Sequence, residues 1–312
     1  MTPQRYLSTS PVRDNERDAY LSANVPNPFF GILPASTTIG GSSNIARERL
    51  LRPFPQFDQV FSTTNDGYSW YHSLQMRLEK RFAKGLTMLT SYTWSKFMEA
   101  TQYLNQDDLR PSEVISDMDF THRLSISGIY ELPFGKGKPF LNGGNSFASR
   151  VVGGWQVSGI YAYQTAAPIG GTNGWTPGNV PGSGIIFNGD FKDIVLPSSE
   201  RTIQRWFNTD AGFVKAANQQ RTTRQVRTFP LRFSYLRGHD INNTDLSVIK
   251  RSEIREGKNL EFRAEFINAF NHPLFNTDQI VIDPTSAAFG RFNSQTQRNY
   301  ARRIQMTLKF TF

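Results

Sequence analysis

The sequence predicts an all-β protein, an antiparallel transmembrane β-barrel segment of about eight to ten strands with long external loops and short periplasmic turns. Residues 303–312 alternate apolar and polar side chains without a break, so a strand there would have one apolar and one polar face. A tilted strand crosses a bilayer with about ten residues. The same alternation recurs in at least six earlier segments, and the connections between them alternate between long and short.

Composition excludes several classes of protein. The mean hydropathy is −0.46, and the chain has no run of about 18 apolar residues, which excludes a transmembrane helix. The chain has no cysteine, so disulfides, thiol catalysis and cysteine metal sites are excluded. The net charge of +9 suggests nucleic acid as a partner, but the basic residues are interleaved with acidic ones along the strands. A solvated face explains this spread better, and we expect no nucleic-acid partner.

Two regions are expected along the chain. Residues 1–55 show no clear period and are predicted to be a mostly irregular loop region, whereas residues 56–312 are predicted to form a carboxy-terminal β-barrel segment. The strands expected from the alternation are, in order, 58–64, 71–82, 86–96, 123–132, 155–164, 244–254, 260–270 and 303–312.

The lengths of the connections support a barrel. If the chain ends on the periplasmic side, each long connection falls outside and each short one inside, which is typical of outer-membrane barrels. Counted back from the last strand, the connections are 271–302, 255–258, 165–241, 133–154, 97–121 and 83–85. The connection 133–154 departs from the pattern because it is of intermediate length on the side where short turns are expected.

The alternation assigns side chains to the two faces of the sheet. Candidates for the lipid-facing set are the apolar residues in phase with each other, namely Leu74, Met76, Leu78, Leu260, Phe262, Phe266, Ile304, Met306, Leu308 and Phe310. Candidates for the lumen-facing set are the charged residues of the opposite phase, namely Arg77, Glu79, Arg81, Glu131, Glu261, Arg263 and Glu265.

Aromatic residues cluster near the expected strand ends, which favours interfacial belts over a soluble core. Tyr92 and Trp94 lie near an external end, and Trp155 lies near a periplasmic end. Trp175 and Trp206 fall within the longest loop, where packing of the loop is a better explanation than contact with a ligand.

No catalytic signature is present, and we expect neither enzyme activity nor a cofactor or metal site. The histidines at positions 72, 122, 239 and 272 are far apart and lack a zinc-protease spacing. Glu261 and Glu265 could serve as an acid–base pair. With Arg263 between them, a ladder of charges in a wet lumen explains them more simply.

Several segments, in order along nearly the whole chain, resemble the carboxy-terminal barrel of TonB-dependent outer-membrane receptors of the Oar-like group. These segments are LLRPFPQF (50–57), YHSLQ (71–75), EKRF (79–82), SYTWSK (91–96), HR (122–123), YELPFGKG (130–137), GGWQVSG (153–159), WFNT (206–209), FRAEFINAFNHP (262–273) and the terminal strand.

The resemblance implies an importer in the outer membrane of a Gram-negative-type bacterium, which takes up an unidentified ligand. In this family a barrel of about 22 strands surrounds an amino-terminal plug, and barrel-assembly machinery recognises the last aromatic residue, here Phe312. The partners implied are outer-membrane lipid and that machinery. An energy-transducing inner-membrane complex is implied only if a plug lies upstream.

The sequence departs from the family in having no plug, energy-coupling box, preceding sandwich domain or secretory signal. The chain is therefore expected to be the carboxy-terminal part of a longer receptor, a fragment with a true end at Phe312. Two alternatives stay open. One is a complete small outer-membrane barrel with a structural or adhesive role, and the other is a soluble all-β binding protein.

Overall fold

The computed structural model describes residues 2–57, 60, 65–105, 107–142, 151–170, 174–175 and 184–312. Its helices are α1 (Asn15–Ser22) and α2 (Arg47–Leu50). Its strands are β1 (Asn24–Pro26), β2 (Asn44–Ala46), β3 (Tyr68–Ala83), β4 (Leu86–Ala100), β5 (Val114–Ile115), β6 (His122–Glu131), β7 (Trp155–Gln164), β8 (Ile241–Arg255), β9 (Lys258–Ile267) and β10 (Arg303–Thr311). No helix in these ranges is both long and apolar enough to cross a membrane.

One large antiparallel sheet dominates the structure, as the sequence predicts. Its seven long strands follow the order β10-β9-β8-β7-β6-β4-β3, and the short strand β5 pairs with β4 beside this path. Every neighbouring pair is antiparallel. Since direction reverses at each of six steps, β3 and β10 run the same way. The predicted strand 58–64 falls, apart from Val60, outside the described residues.

The connections separate into two ends of the sheet, which we call the turn end and the loop end. At the turn end, Lys84 and Gly85 join β3 to β4 with φ of 52° and 83°. A two-residue hairpin turn of this kind needs positive φ at both positions. Gly257, with φ of 75°, serves the turn from β8 to β9. At the loop end, residues 101–121, 165–240 and 268–302 form the long connections.

The long connections fold into a layer with its own hydrophobic core. We define the loop layer as the described residues of 2–57, 101–121, 165–240 and 268–302. Trp175 is fully buried at the centre, and its ring lies 5.2 Å from that of Phe207 and 5.6 Å from that of Phe229. The buried core consists of Ile169, Trp175, Ile185, Ile194, Trp206, Phe207, Phe213, Phe229, Phe233, Leu236, Ile280, Phe289 and Phe292. Both tryptophans of the longest loop therefore pack within the loop layer.

The amino-terminal region is also part of the loop layer. Ser8 pairs with Gln225 in an isolated bridge, and Arg224 lies 2.7 Å from Glu48 and 2.9 Å from Asp18. The hydrogen bonds that Arg224 donates to the carboxylates of Glu48 and Asp18 raise the pKa of Arg224 above its ordinary value. Partial burial opposes ionisation of Asp18, but hydrogen bonds from Arg224 and Thr222 prevail and lower its pKa. These ionic contacts hold residues 2–57 against the longest loop.

Asparagines organise the start of the last loop. Asn268, buried and in the left-handed region with φ of 51°, ends β9. Its Nδ2 donates to the carbonyl oxygens of His272 and Tyr300, both at 3.0 Å. Asn271 Oδ1 accepts from the backbone N–H of Arg302 at 3.0 Å. The two ends of the loop are thus joined directly above β9 and β10.

We expect Phe207→Ala to loosen the loop layer while leaving the sheet intact, because Phe207 is fully buried and packs against Trp175 and Phe289. Truncating a buried phenylalanine costs about 3–5 kcal/mol. The measurement is the rate of limited proteolysis within residues 184–240 for the protein in detergent. The matched control is Phe270→Ala, since Phe270 is in the same layer but 63% exposed. Equal cleavage rates for both variants would contradict the layer's dependence on this core.

Candidate functional site: the inner face of the sheet and the loop layer above it

The register of the sheet places the predicted face sets on opposite sides. In an antiparallel pair, directly opposed residues share a face. Phe262 opposes Leu308, and Phe266 opposes Ile304. A continuous row of opposed residues connects this side across the sheet, namely Lys80, Met88, Gly128, Gly159, Leu246, Phe266 and Ile304. All ten lipid-facing candidates have the phase of this row, which defines the apolar face.

The charged candidates have the opposite phase and define the inner face. On β9, Arg263 lies between Glu261 and Glu265, at 3.0 Å and 3.7 Å. Arg251 of β8 adds a cross-strand contact to Glu261 at 2.9 Å. On β3, Arg77 and Arg81 both approach Glu79, at 3.1 Å and 3.6 Å. Exposed pairs of this kind contribute roughly 0–1 kcal/mol each, so their main effect is to make the face polar.

Glu131 is the remaining charged candidate, and it lies at the turn end of the same face. Its carboxylate is 2.7 Å from Lys138 Nζ, and it opposes Gln156 of β7. Which face contacts lipid in the membrane stays a prediction for all of these residues, because the sheet is described without lipid.

The inner face also carries apolar side chains that the sequence reading missed. Leu89, Ile129, Ile160 and Ile267 line a concavity of about 510 Å³. Acidic and hydroxyl side chains surround them, namely Thr87, Ser127, Ser158, Asp245, Ser247 and Glu265. The sequence signal for this surface was a set of aliphatic residues at strand positions that otherwise carry polar residues. This concavity can contact a molecule with both apolar and hydrogen-bonding groups.

Two buried ion pairs attach the loop layer to the loop end of the sheet. Arg237 Nη2 donates to Asp119 Oδ2 at 2.6 Å, and Asp119 is fully buried. Asp119 Oδ1 also accepts from the backbone N–H of Phe97 in β4 at 2.6 Å. Nearby, Arg232 donates through Nη2 to Glu99 of β4 and through Nε to the carbonyl oxygen of Ile115 at 2.9 Å.

A second cavity lies beside these attachments. It has a volume of about 620 Å³. Its walls come from the loop end of β3 and β4 and from the longest loop, including Ser73, Ser95, Thr121, Ser234 and Arg237. The inner face and the loop layer therefore share a polar boundary with space for small molecules or water.

The histidines are placed apart, and three of them have local contacts. His122 Nδ1 lies 2.8 Å from the Tyr92 hydroxyl, His239 Nδ1 lies 3.0 Å from the Asp240 carbonyl oxygen, and His272 Nδ1 lies 3.2 Å from the Asn242 carbonyl oxygen. In the described part of the chain, no group of three or more histidine, aspartate or glutamate side chains is placed to hold a metal ion.

An antiparallel sheet with one apolar and one charged face, short turns at one end and long loops at the other defines a membrane-spanning β-barrel protein. Residues 15–305 match the family model described as "Outer membrane beta barrel domain". The chain belongs to this family and is a protein of the outer membrane. No curated protein and no solved structure is significantly similar to the chain. In such barrels the long connections are external, so the loop layer faces the outside of the cell.

We expect Asp119→Asn to weaken the attachment of the loop layer, because it leaves the Arg237 guanidinium buried without a counter-charge. Removing one partner of a buried ion pair costs about 3–5 kcal/mol. The measurement is denaturant-induced loss of the protease-resistant loop layer. As a control, Asp210→Asn removes an exposed pair with Lys215 and should change stability by less than about 1 kcal/mol. If the two variants are equally stable, the Asp119 contact does not attach the layer.

Proposed function

We propose that this chain is the barrel portion of a TonB-dependent outer-membrane receptor of the Oar-like group, which takes up an unidentified ligand. The observation that carries the proposal is the position of the loop layer. It is an ordered structure with its own core, attached by buried ion pairs across the loop end of a sheet with a charged inner face. Such a layer can select a ligand before the ligand reaches the lumen.

The inner face supports a role in passage rather than in chemistry. Its charged side chains are paired with each other along β3 and β9, which suits a hydrated surface. The concavity of about 510 Å³ adds an apolar surface among hydroxyl and acidic groups. We therefore propose binding and translocation without enzyme activity.

The proposal includes three partners. Outer-membrane lipid would contact the apolar face, on which Met306 and Leu308 are each 68% exposed. Barrel-assembly machinery would recognise the terminal strand and Phe312, which is 92% exposed. An energy-transducing inner-membrane complex would act only through a plug encoded upstream.

The directions of the edge strands argue against a barrel in which β3 and β10 pair with each other. β3 and β10 run the same way, so direct closure would pair them in parallel. Bacterial outer-membrane barrels are built from an even number of antiparallel strands. An unpaired edge is also untenable in lipid, because its backbone groups need hydrogen-bond partners. We infer that further strands lie between β3 and β10 in the closed barrel.

Cysteine cross-linking tests this inference, and the chain has no cysteine of its own. A cysteine replacing Thr307 of β10 should cross-link to one replacing Arg263, its directly opposed residue in β9. The same cysteine should not cross-link within one molecule to cysteines replacing Gln75, Arg77 or Glu79 of β3. The assay is gel mobility after treating outer membranes with a short thiol cross-linker. Efficient joining of β3 to β10 would instead contradict the inference, because it would leave no room for a strand between them.

Uptake is tested in the bacterium that encodes the chain. Deleting the gene should leave a component of the growth medium unconsumed, and deleting the energy-transducing complex should leave the same component unconsumed. The measurement is mass-spectrometric comparison of spent media, with the gene restored in the deletion strain as the control. If the deletion strain consumes the medium as the wild type does, the transport proposal is wrong. A barrel with a structural role would give that result.

A further inference from the structure

Two arginines of the loop layer are buried without a carboxylate. Arg221 is 5% exposed and Arg227 is 8% exposed. The other buried arginine cations of this region have acidic partners, since Arg232 pairs with Glu99 and Arg237 pairs with Asp119. No ion pair of Arg221 or Arg227 with an acidic residue occurs among the described residues. This difference sets the two side chains apart.

The hydrogen bonds of these two arginines go to neutral groups and do not use every N–H donor of the two guanidinium groups. Arg221 Nη1 donates to the carbonyl oxygens of Ser10 and Val226 at 3.1 Å and 2.8 Å, and its Nη2 donates to Thr228 Oγ1 at 3.1 Å. Arg227 Nη2 donates to the carbonyl oxygen of Trp175 at 2.7 Å. The Nε atoms of both arginines are buried and have no acceptor in the part of the chain that the structure describes.

The electrostatic consequence is a buried positive charge that no carboxylate among the described residues offsets. Burial alone lowers the pKa of Arg227 to about 10 and also lowers the pKa of Arg221. Moving a charged group from water into a protein interior is strongly unfavourable unless it is paired. The neighbouring Gln225 also leaves its Oε1 unpaired, but a water molecule can satisfy a neutral amide. The two guanidinium groups need an anion.

The described residues next to these arginines supply no such anion. Gly184 packs beside both arginines, and residues 184–189 contain no aspartate or glutamate. Gly184 of this segment lies between the two side chains. A Cβ atom at this position would lie 3.1 Å from Arg221 Cδ and 3.2 Å from Arg227 Cγ. The glycine therefore lets the backbone approach the aliphatic stems of both arginines, so that the two side chains leave from beside the same residue.

We propose that Arg221 and Arg227 form a binding site for an oxyanion, a phosphate or carboxylate group of an external ligand, within the loop layer. Guanidinium groups bind these anions with short, charge-assisted hydrogen bonds, and each of the two has an Nε–H available. The site does not depend on the chain being a transporter, because it requires only that the loop layer be folded. The oxyanion comes from a free ligand or from a lipid headgroup.

Titration with inorganic phosphate tests the site. The full chain, refolded in detergent and kept at constant ionic strength with chloride, should bind phosphate saturably by calorimetry. Arg227→Gln and Arg221→Gln should each weaken binding at least about tenfold, since each removes a charge-assisted hydrogen bond to the oxyanion. Gly184→Ala should weaken binding in the same direction, because its methyl group would displace the arginines.

Controls separate a site from general charge and from misfolding. Arg291→Gln removes an exposed arginine of the same layer and should bind phosphate as the wild type does. Protease resistance of the layer should be retained in Arg227→Gln, because that variant removes a buried charge without a counter-ion. Equal phosphate affinity in all variants, or no saturable phosphate binding by wild-type protein whose loop layer is protease-resistant, would overturn the proposal.

A competition arm identifies the source of the oxyanion. The wild type is placed in nanodiscs of phosphatidylcholine with or without phosphatidic acid, and the phosphate titration is repeated. If a lipid headgroup occupies the site, phosphatidic acid should lower the apparent affinity for inorganic phosphate. If the ligand is soluble, the two nanodiscs should give the same affinity. Either result supports the site and assigns its occupant.

Discussion

The need to pair every backbone N–H and C=O group in lipid is the constraint on which the rest of this structure depends. It requires each spanning strand to have a neighbour on both sides, and β4, β6, β7, β8 and β9 meet this requirement within the chain. It also explains why irregular backbone is confined to the two ends of the sheet. At the turn end, two residues suffice between β3 and β4. At the loop end, the chain leaves the membrane and can fold as a protein does in water.

The loop layer shows what this freedom allows. Its aromatic core is stabilised by burial of apolar surface away from water, whereas the apolar face of the sheet is predicted to be stabilised by lipid. Trp175 illustrates the first case, with rings of Phe207, Phe213, Phe229 and Phe233 around it. We therefore expect one chain to fold partly in water and partly in lipid. The sheet and the loop layer meet at the loop end of the strands, where hydrogen bonds and ion pairs join them.

The sheet was predictable from sequence because its signal is local. A period of two needs only neighbouring residues, and the bounds of β7 were predicted without error. The strand predicted for 260–270 ends earlier, at Ile267, because Asn268 adopts positive φ and its side chain binds the following loop. The aliphatic side chains of the inner face were missed because Ile129 and Ile160 belong to the polar phase. Only the register across strands shows that they meet.

The loop layer was not predictable in the same way, since its contacts join residues far apart in sequence. Nothing near Trp175 indicates that Phe207 will pack on it, and nothing near Arg237 indicates Asp119 as its partner. Two ion pairs, Arg237 with Asp119 and Arg232 with Glu99, fix the layer to a particular strand, β4. The layer is also attached to β8, where Asp245 Oδ1 accepts from the backbone N–H of Asn268 at 2.8 Å. Because the ion pairs to β4 are buried, their attraction is partly offset by the hydration that the two arginines and two carboxylates lost on burial. The attachment therefore depends on geometry and packing as well as on the net strength of the ion pairs.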